Sequence, residues 1–370
     1  MKVTALTMVT GPYIAARYTH FAMTYPNYEL SLVEFGEVSE TYSWQQSDQE
    51  VPYRRVILSK QSAEGQTWVM LSWRLLSALN NLQPEIVILC GYGIKGMLVG
   101  LLWSLFHQKP AILLSDSKEN DSLRNSIKEF IKSLIIQKYD AALVAGQLHK
   151  QYLCNLGMPR NAIFVGYDVV ENKRFCRKEI KDLPKPLDRP YFLAVNRFIA
   201  KKNLHRIIQA YADYRQQTNT KPWDLVLCGD GELYPQIEQK VSVLGLESSV
   251  HMPGFLQLEE LLPYYAHAQC FIHASLQEQW GLVVNEAMAA GLPVIVSNCC
   301  GCFEDLVLEG VNGFGFDPEN VQQLSSLMMK VSSDSVDLEI MGRASEVHIQ
   351  NYSPETFSHG LQKAIQHTLK

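Results

Sequence analysis

The chain has 370 residues, 47% of them hydrophobic and 19% charged, with a net charge of −5. That length exceeds one ordinary domain, and the composition excludes disordered and collagen-like chains. The longest apolar run, residues 97–106 with Ser104 its one polar side chain, is too short to cross a bilayer. Residue Lys2 leads into an apolar stretch over 3–9 with no cleavage pattern, so a cytoplasmic protein is expected.

In chain order, strand candidates at 3–9, 30–35, 86–90, 111–114, 141–145 and 163–165 alternate with helical patterns, which argues for parallel β-α units. The stretch 182–190, with Pro184, Pro186, Pro190 and mixed charge, reads as a linker. Beyond it the alternation restarts, with strands at 191–195, 224–228, near Val250, 270–272, 293–296 and 313–316. Two consecutive doubly wound domains are expected, 1–185 and 186–352, followed by a helical pattern from Pro354 through Leu361 and Ile365. Cutting the chain after Lys185 gives parts of charge +4 and −9, so an anionic surface suits the first part better than the second.

The cysteines Cys90, Cys228 and Cys270 sit in apolar runs and read as buried free thiols. Cys299, Cys300 and Cys302 cluster, but no second Cys or His pair at ligand spacing accompanies them, so no metal site is expected. From residue 123 to 138 a helical pattern carries Arg124, Lys128 and Lys132 at four-residue spacing, with Ile127, Phe130, Ile131 and Leu134 on another side. Such a helix either packs into its own domain or rests on an anionic membrane surface.

Four segments carry chemistry. Phe192-Leu193-Ala194-Val195-Asn196-Arg197 ends a strand with Arg197, and Lys202-Asn203-Leu204 opens a helix, which places two cations where a diphosphate is neutralised. Gly229-Asp230-Gly231 follows a strand and lets backbone approach a ligand, although a plain Asp-Gly turn explains it equally well. His251-Met252-Pro253-Gly254-Phe255 comes next. Glu278 and Glu286 then stand eight positions apart across Trp280, Gly281 and Leu282, one acid at a strand exit and one on the first turns of a helix. Carboxylates accept hydrogen bonds from sugar hydroxyls, and free N–H groups at a helix start meet phosphate or hydroxyl oxygens.

In the first part, Gly91-Tyr92-Gly93-Ile94-Lys95-Gly96 follows a strand, and Asp116 lies twenty residues past Gly96. By pattern this is a dinucleotide fingerprint, which supports an NAD(P)-dependent oxidoreductase as the alternative reading.

The run from Glu278 through Glu286-Ala287-Met288-Ala289 to Gly291-Leu292-Pro293-Val294, with Arg197, Lys202 and the Gly229 turn before it in order, resembles retaining glycosyltransferases of family 4 and their E-x7-E motif. The resemblance spans roughly residues 190–316, with Asn196 and Asn203 where the family has glycines. It implies a GT-B fold of two Rossmann-like domains facing a central cleft, with the final helix, 353–370, packed back on the first. It also implies metal-independent transfer, with retention, of a hexose from a nucleoside diphosphate sugar, most commonly a UDP-sugar, to an acceptor hydroxyl. No cofactor or nucleic-acid partner is implied.

By the same resemblance, Arg197 and Lys202 would hold the diphosphate, Glu278 a sugar hydroxyl and Glu286 the ribose. Gly229, Gly231, Phe255, Trp280, Gly281, Leu282 and, in the first domain, Gly11 would line the donor site. Gly91, Gly93, Asp116 and Ser117 would face the acceptor, the last two standing where many relatives carry a His. A related epimerase and a noncatalytic sugar-nucleotide-binding module remain open at this point.

Overall fold

In the computed structural model, residues 1–38, 50–62, 65, 67–121 and 125–370 are described. The chain forms two compact units, residues 1–171 with 352–370, and residues 172–351.

The first unit is built on a seven-stranded parallel sheet of β1 (Lys2–Thr7), β2 (Glu29–Glu34), β3 (Arg54–Ile57), β4 (Ile86–Cys90), β5 (Ala111–Ser115), β6 (Ala141–Val144) and β7 (Ile163–Val165). Their order is β3-β2-β1-β4-β5-β6-β7. Strands β4, β5 and β6 are apolar but for Ser115 and buried almost throughout, as a parallel sheet covered on both faces requires. Helices Pro12–Thr24 and Pro354–Thr368 cover one face, where Tyr18 and Phe21 meet Phe357, Leu361 and Ile365 over Val3, Ala5 and Ile88. Helices Trp68–Leu82, Lys95–Phe106 and Gln147–Asn155 cover the other, where Leu71, Leu75 and Leu79 pack with Met97, Leu101 and Leu153 over Leu6, Val33 and Leu89.

The second unit carries a six-stranded parallel sheet of β8 (Tyr191–Val195), β9 (Asp224–Cys228), β10 (Val250–Gly254), β11 (Cys270–His273), β12 (Val294–Ser297) and β13 (Gly313–Phe316), in the order β10-β9-β8-β11-β12-β13. Chain order reverses between β8 and β11, which pair through Cys270 with Phe192 and Phe271 with Leu193. In open parallel sheets such a reversal leaves a crevice outside the carboxyl ends of the two strands. In the first unit the reversal lies between β1 and β4, paired through Val3 with Ile86.

The change of unit falls at Glu171 and Asn172, earlier than the proline-rich stretch at 182–190. Residues 172–185 are not a free linker. Phe175 sets its ring edge-on to Tyr265 at 5.8 Å, Ile180 is buried, and the Leu183 carbonyl bonds to His267 at 2.7 Å. Strand β3 was not anticipated, since Arg54 and Arg55 mask its periodicity. No helix among the described residues is long and apolar enough to cross a membrane.

Candidate functional site

Strand β8 delivers Asn196 and Arg197 at its carboxyl end, and β11 delivers the loop to Glu278. The two lie side by side at the reversal in the second sheet. Arg197 extends into solvent. Asn196 is 7% exposed, and neither its side-chain oxygen nor its nitrogen has a hydrogen-bond partner among the described residues. A turn of 3-10 helix, Ala200–Lys202, then brings Lys202 back, with the Lys201 carbonyl accepting from the Leu276 N–H at 2.8 Å.

Glu278 is the centre of this cluster. Its carboxylate accepts from the Lys202 ammonium and from the Ser275 hydroxyl at 3.1 Å, and lies 3.4 Å from Nε2 of the fully buried His273. Burial alone raises a carboxyl pKa, but the hydrogen bond from His273 and the Lys202 charge outweigh it and hold Glu278 below the usual carboxylate range. Burial pushes the His273 imidazole down, so the neutral ring with its proton on Nε2 is the donor. The backbone is fixed as well: Glu278 O accepts from Gly301 N at 3.0 Å and Trp280 O from Cys302 N at 3.2 Å. Gly281 then opens helix Leu282–Ala289 at φ +111°, a conformation that favours glycine.

Other predicted positions fall differently. The Trp280 ring is buried and donates to Asn285 Oδ1 at 2.9 Å, so only the backbone there can meet a ligand. Glu286 is enclosed to 2% exposure and accepts from the Tyr265 hydroxyl at 2.6 Å. Phe255 is exposed beside Gly254. Gly229 and Gly231 have a structural reason: a Cβ on the first would lie 1.8 Å from the Asn196 carbonyl oxygen, and one on the second 2.7 Å from that of Phe198. Asn203 takes the left-handed conformation at φ +59°, its amide bonding to the Ala274 and Pro318 carbonyls at 3.1 and 2.8 Å. At Asn196, by contrast, no such conformation is needed. His273, Ser275 and Asn196 carry no sequence signal as site residues, because a His and a Ser at a strand exit read as satisfied core.

In the first unit, Gly11 caps helix Pro12–Thr24 in an extended conformation. The Thr10 N–H before it bonds to the buried Glu34 carboxylate at 3.1 Å, which Arg55 grips through two nitrogens. Arg17 is buried, paired with Asp168 at 3.2 Å and set over the Tyr167 ring at 4.8 Å. Asp168 keeps one carboxylate oxygen buried without a partner among the described residues. Asp116, half-buried at the end of β5, is pushed up to about 7 by burial and by the Asp168 charge, against the pull of Arg17. Ser117 follows it, half-buried, with its N–H on Ser115 Oγ at 3.2 Å. The next helix is capped by Asn125, which accepts from the N–H groups of Ile127 and Lys128.

In the glycine loop, Gly91 stands at φ +93° with open space around it, and Gly93 is equally open. A Cβ on Gly96 would meet the Phe35 ring at 2.5 Å. Gly96 therefore serves helix-to-sheet packing, and the pattern follows β4 rather than the first strand. All eight cysteines are free thiols, and among the described residues no group of three His, Cys, Asp or Glu side chains is gathered to hold a metal.

Two doubly wound parallel-sheet units, each with polar groups at its strand reversal, define the GT-B class of glycosyltransferase folds. The bound-UDP structure of HepE from Anabaena superposes with a TM-score of 0.78 over 99% of this chain and 100% of that one, at 18% identity. The family described as glycosyl transferases group 1 matches residues 176–365, and the chain belongs to it. An uncharacterised glycosyltransferase of Methanocaldococcus jannaschii is 31% identical over 147 residues, 40% of this chain and 37% of that one. The amylovoran biosynthesis glycosyltransferase AmsK of Erwinia amylovora is 27% identical over 225 residues, 59% of this chain and 54% of that one. The chain thus matches about a third to a half of the length of these curated relatives. Family membership sets the oxidoreductase reading aside.

Proposed function

We infer that this glycosyltransferase moves a hexose from a nucleoside diphosphate donor, a UDP-sugar, to an acceptor hydroxyl, with retention at the anomeric carbon and without a metal ion. The observation that carries this reading is the Glu278 carboxylate, held ionised by Lys202, His273 and Ser275 at the strand reversal, with Arg197 exposed just past the end of the paired strand β8. The UDP bound to HepE supports the donor class.

In this reading Arg197 and Lys202 neutralise the diphosphate, and their attraction grows as charge builds on the departing oxygen. The ammonium of Lys202 has three protons, so it bonds to Glu278 and to a phosphate oxygen together. Glu278 accepts from a hydroxyl of the transferred sugar, Glu286 serves the ribose, and Phe255 offers a face to the base. The unpaired Asn196 amide is a further group for the diphosphate. The Gly281 and Leu282 backbone orients the sugar. Asp116, Ser117 and the open Gly91-Gly93 loop take the acceptor side. The bond from the anomeric carbon to phosphate breaks as the acceptor oxygen attacks the same face, and the acceptor proton passes to the departing phosphate oxygen.

The test needs no acceptor. UDP-glucose is incubated with the protein, and the first glucose released by hydrolysis is assigned by proton NMR before it mutarotates. The α anomer, at a rate unchanged by EDTA, is expected; the β anomer first, or a rate abolished by chelation, overturns the mechanism.

A further inference from the structure

An amphipathic helix on a globular protein buries its apolar stripe and turns its polar side to water. Helix Ser126–Ile136 does the reverse. Of its residues only Ile136 is buried, while Ile127 is 71% exposed and Phe130 64%. Its polar side faces the protein: Lys132 donates to Tyr152 Oη at 3.0 Å and to Glu129 at 2.8 Å, Tyr152 donates to Glu129 at 3.0 Å, and Ser133 Oγ donates to the Leu156 carbonyl at 2.8 Å. Residues 122–124, including the Arg124 of the sequence pattern, lie outside the described residues.

The neighbouring helices bury one apolar side in the ordinary way and also leave large apolar side chains exposed. Ile136 enters the same core as Leu75 and Leu79 of helix Trp68–Leu82 and Met97 and Leu101 of helix Lys95–Phe106, so the three helices form one layer over one sheet face. Helices in one layer turn their outer sides the same way. On that outer side Trp73 is 70% exposed and Phe106 84%, with Val69 and Leu102 close behind. On helix Ser126–Ile136 itself Ile127, Phe130, Ile131 and Leu134, three and four residues apart, form one exposed apolar stripe, and such stripes mark interaction surfaces.

Charge selects what covers it. The three helices carry a single acid, Glu129, already bonded to Lys132 and Tyr152, whereas Lys95, Lys128 and the adjacent Lys138 are exposed. We propose that the outer surface of this helix layer lies on an anionic membrane interface, its aromatic and aliphatic side chains at the acyl boundary and Lys95, Lys128 and Lys138 among the headgroups.

The inference stands apart from the donor-site reading, because it is tested without any nucleotide. The full chain is sedimented with phosphatidylcholine vesicles that contain or lack phosphatidylglycerol. Recovery with the anionic vesicles is expected, and Phe106→Ser with Phe130→Ser should lower the partition coefficient at least about tenfold, since each removes a large apolar side chain from the interface. Lys128→Glu should weaken recovery on anionic vesicles only. Val243→Ser with Ile340→Ser, two exposed apolar positions of the second unit, should leave it unchanged. All these side chains are exposed, so melting curves should coincide with wild type. Absence of recovery with phosphatidylglycerol overturns the proposal. So does self-association in sedimentation velocity that the Phe106/Phe130 pair abolishes, which would make a second copy the occupant.

Discussion

Two carboxylic acids respond to their surroundings in opposite directions. Glu278 is held ionised by a hydrogen bond and a cation, whereas burial and a neighbouring carboxylate push Asp116 toward its protonated form. The signs follow from linkage. Glu278, depressed in the folded chain, adds stability above the ordinary carboxylate range, and that contribution is lost as pH falls through it. Asp116, raised to about 7, adds stability that is complete below about 4 and fades as pH rises through 7. Calorimetric unfolding from about pH 5 to about pH 8 should therefore show Asp116→Asn losing less stability than wild type as pH rises. Glu278→Gln should flatten the acid side of the profile below about pH 5 instead. Parallel profiles for all three chains would contradict both assignments.

At the level of elements, the start of helix Leu204–Gln217 depends on one side chain that does two jobs. Asn203 sits at φ +59° and ties down the Ala274 and Pro318 carbonyls, which anchors Lys202 beside it. Asn203→Gly keeps the backbone conformation and loses the two bonds, whereas Asn203→Ala loses the bonds and adds left-handed strain of roughly 1–2 kcal/mol. Urea unfolding should rank the alanine variant below the glycine variant, and the reverse order would dismiss the backbone role. Much of this region was legible: the strands ending at Val195 and Ile272, the order Arg197, Lys202, Glu278, Glu286, and the helix from Leu282 all follow from pattern, with the second strand one residue longer in the fold. What pattern does not report is orientation. The Ser126–Ile136 helix shows two sides in the sequence, but which one faces water is decided by Tyr152 and Leu156, distant in the chain. The direction of the Trp280 ring is hidden from pattern in the same way, since only the fold brings Asn285 to its N–H. His273 escaped notice because a strand histidine reads as core.

At the scale of the molecule, the first unit is made from both ends of the chain. Phe357, Leu361, Ala364 and Ile365 are fully buried against β-strands laid down more than two hundred residues earlier in the sequence. Leu361→Ala should cost about 2–5 kcal/mol in that unit, while UDP affinity measured by calorimetry, proposed for the second unit, should stay near wild type. A large loss of UDP affinity at unchanged stability would move the donor site toward the first unit. The same arrangement governs how the protein is made. As the ribosome delivers the chain, Val3, Ala5, Ile86 and Ile88 emerge early together with helix Pro12–Thr24, but the second helix that shields their side of the sheet, Pro354–Thr368, follows only after the second unit. At about 5–20 residues per second the whole intervening unit must be synthesised first, a delay on the order of ten to forty seconds. Through that interval the nascent sheet offers chaperones an apolar face covered by helix Pro12–Thr24 alone.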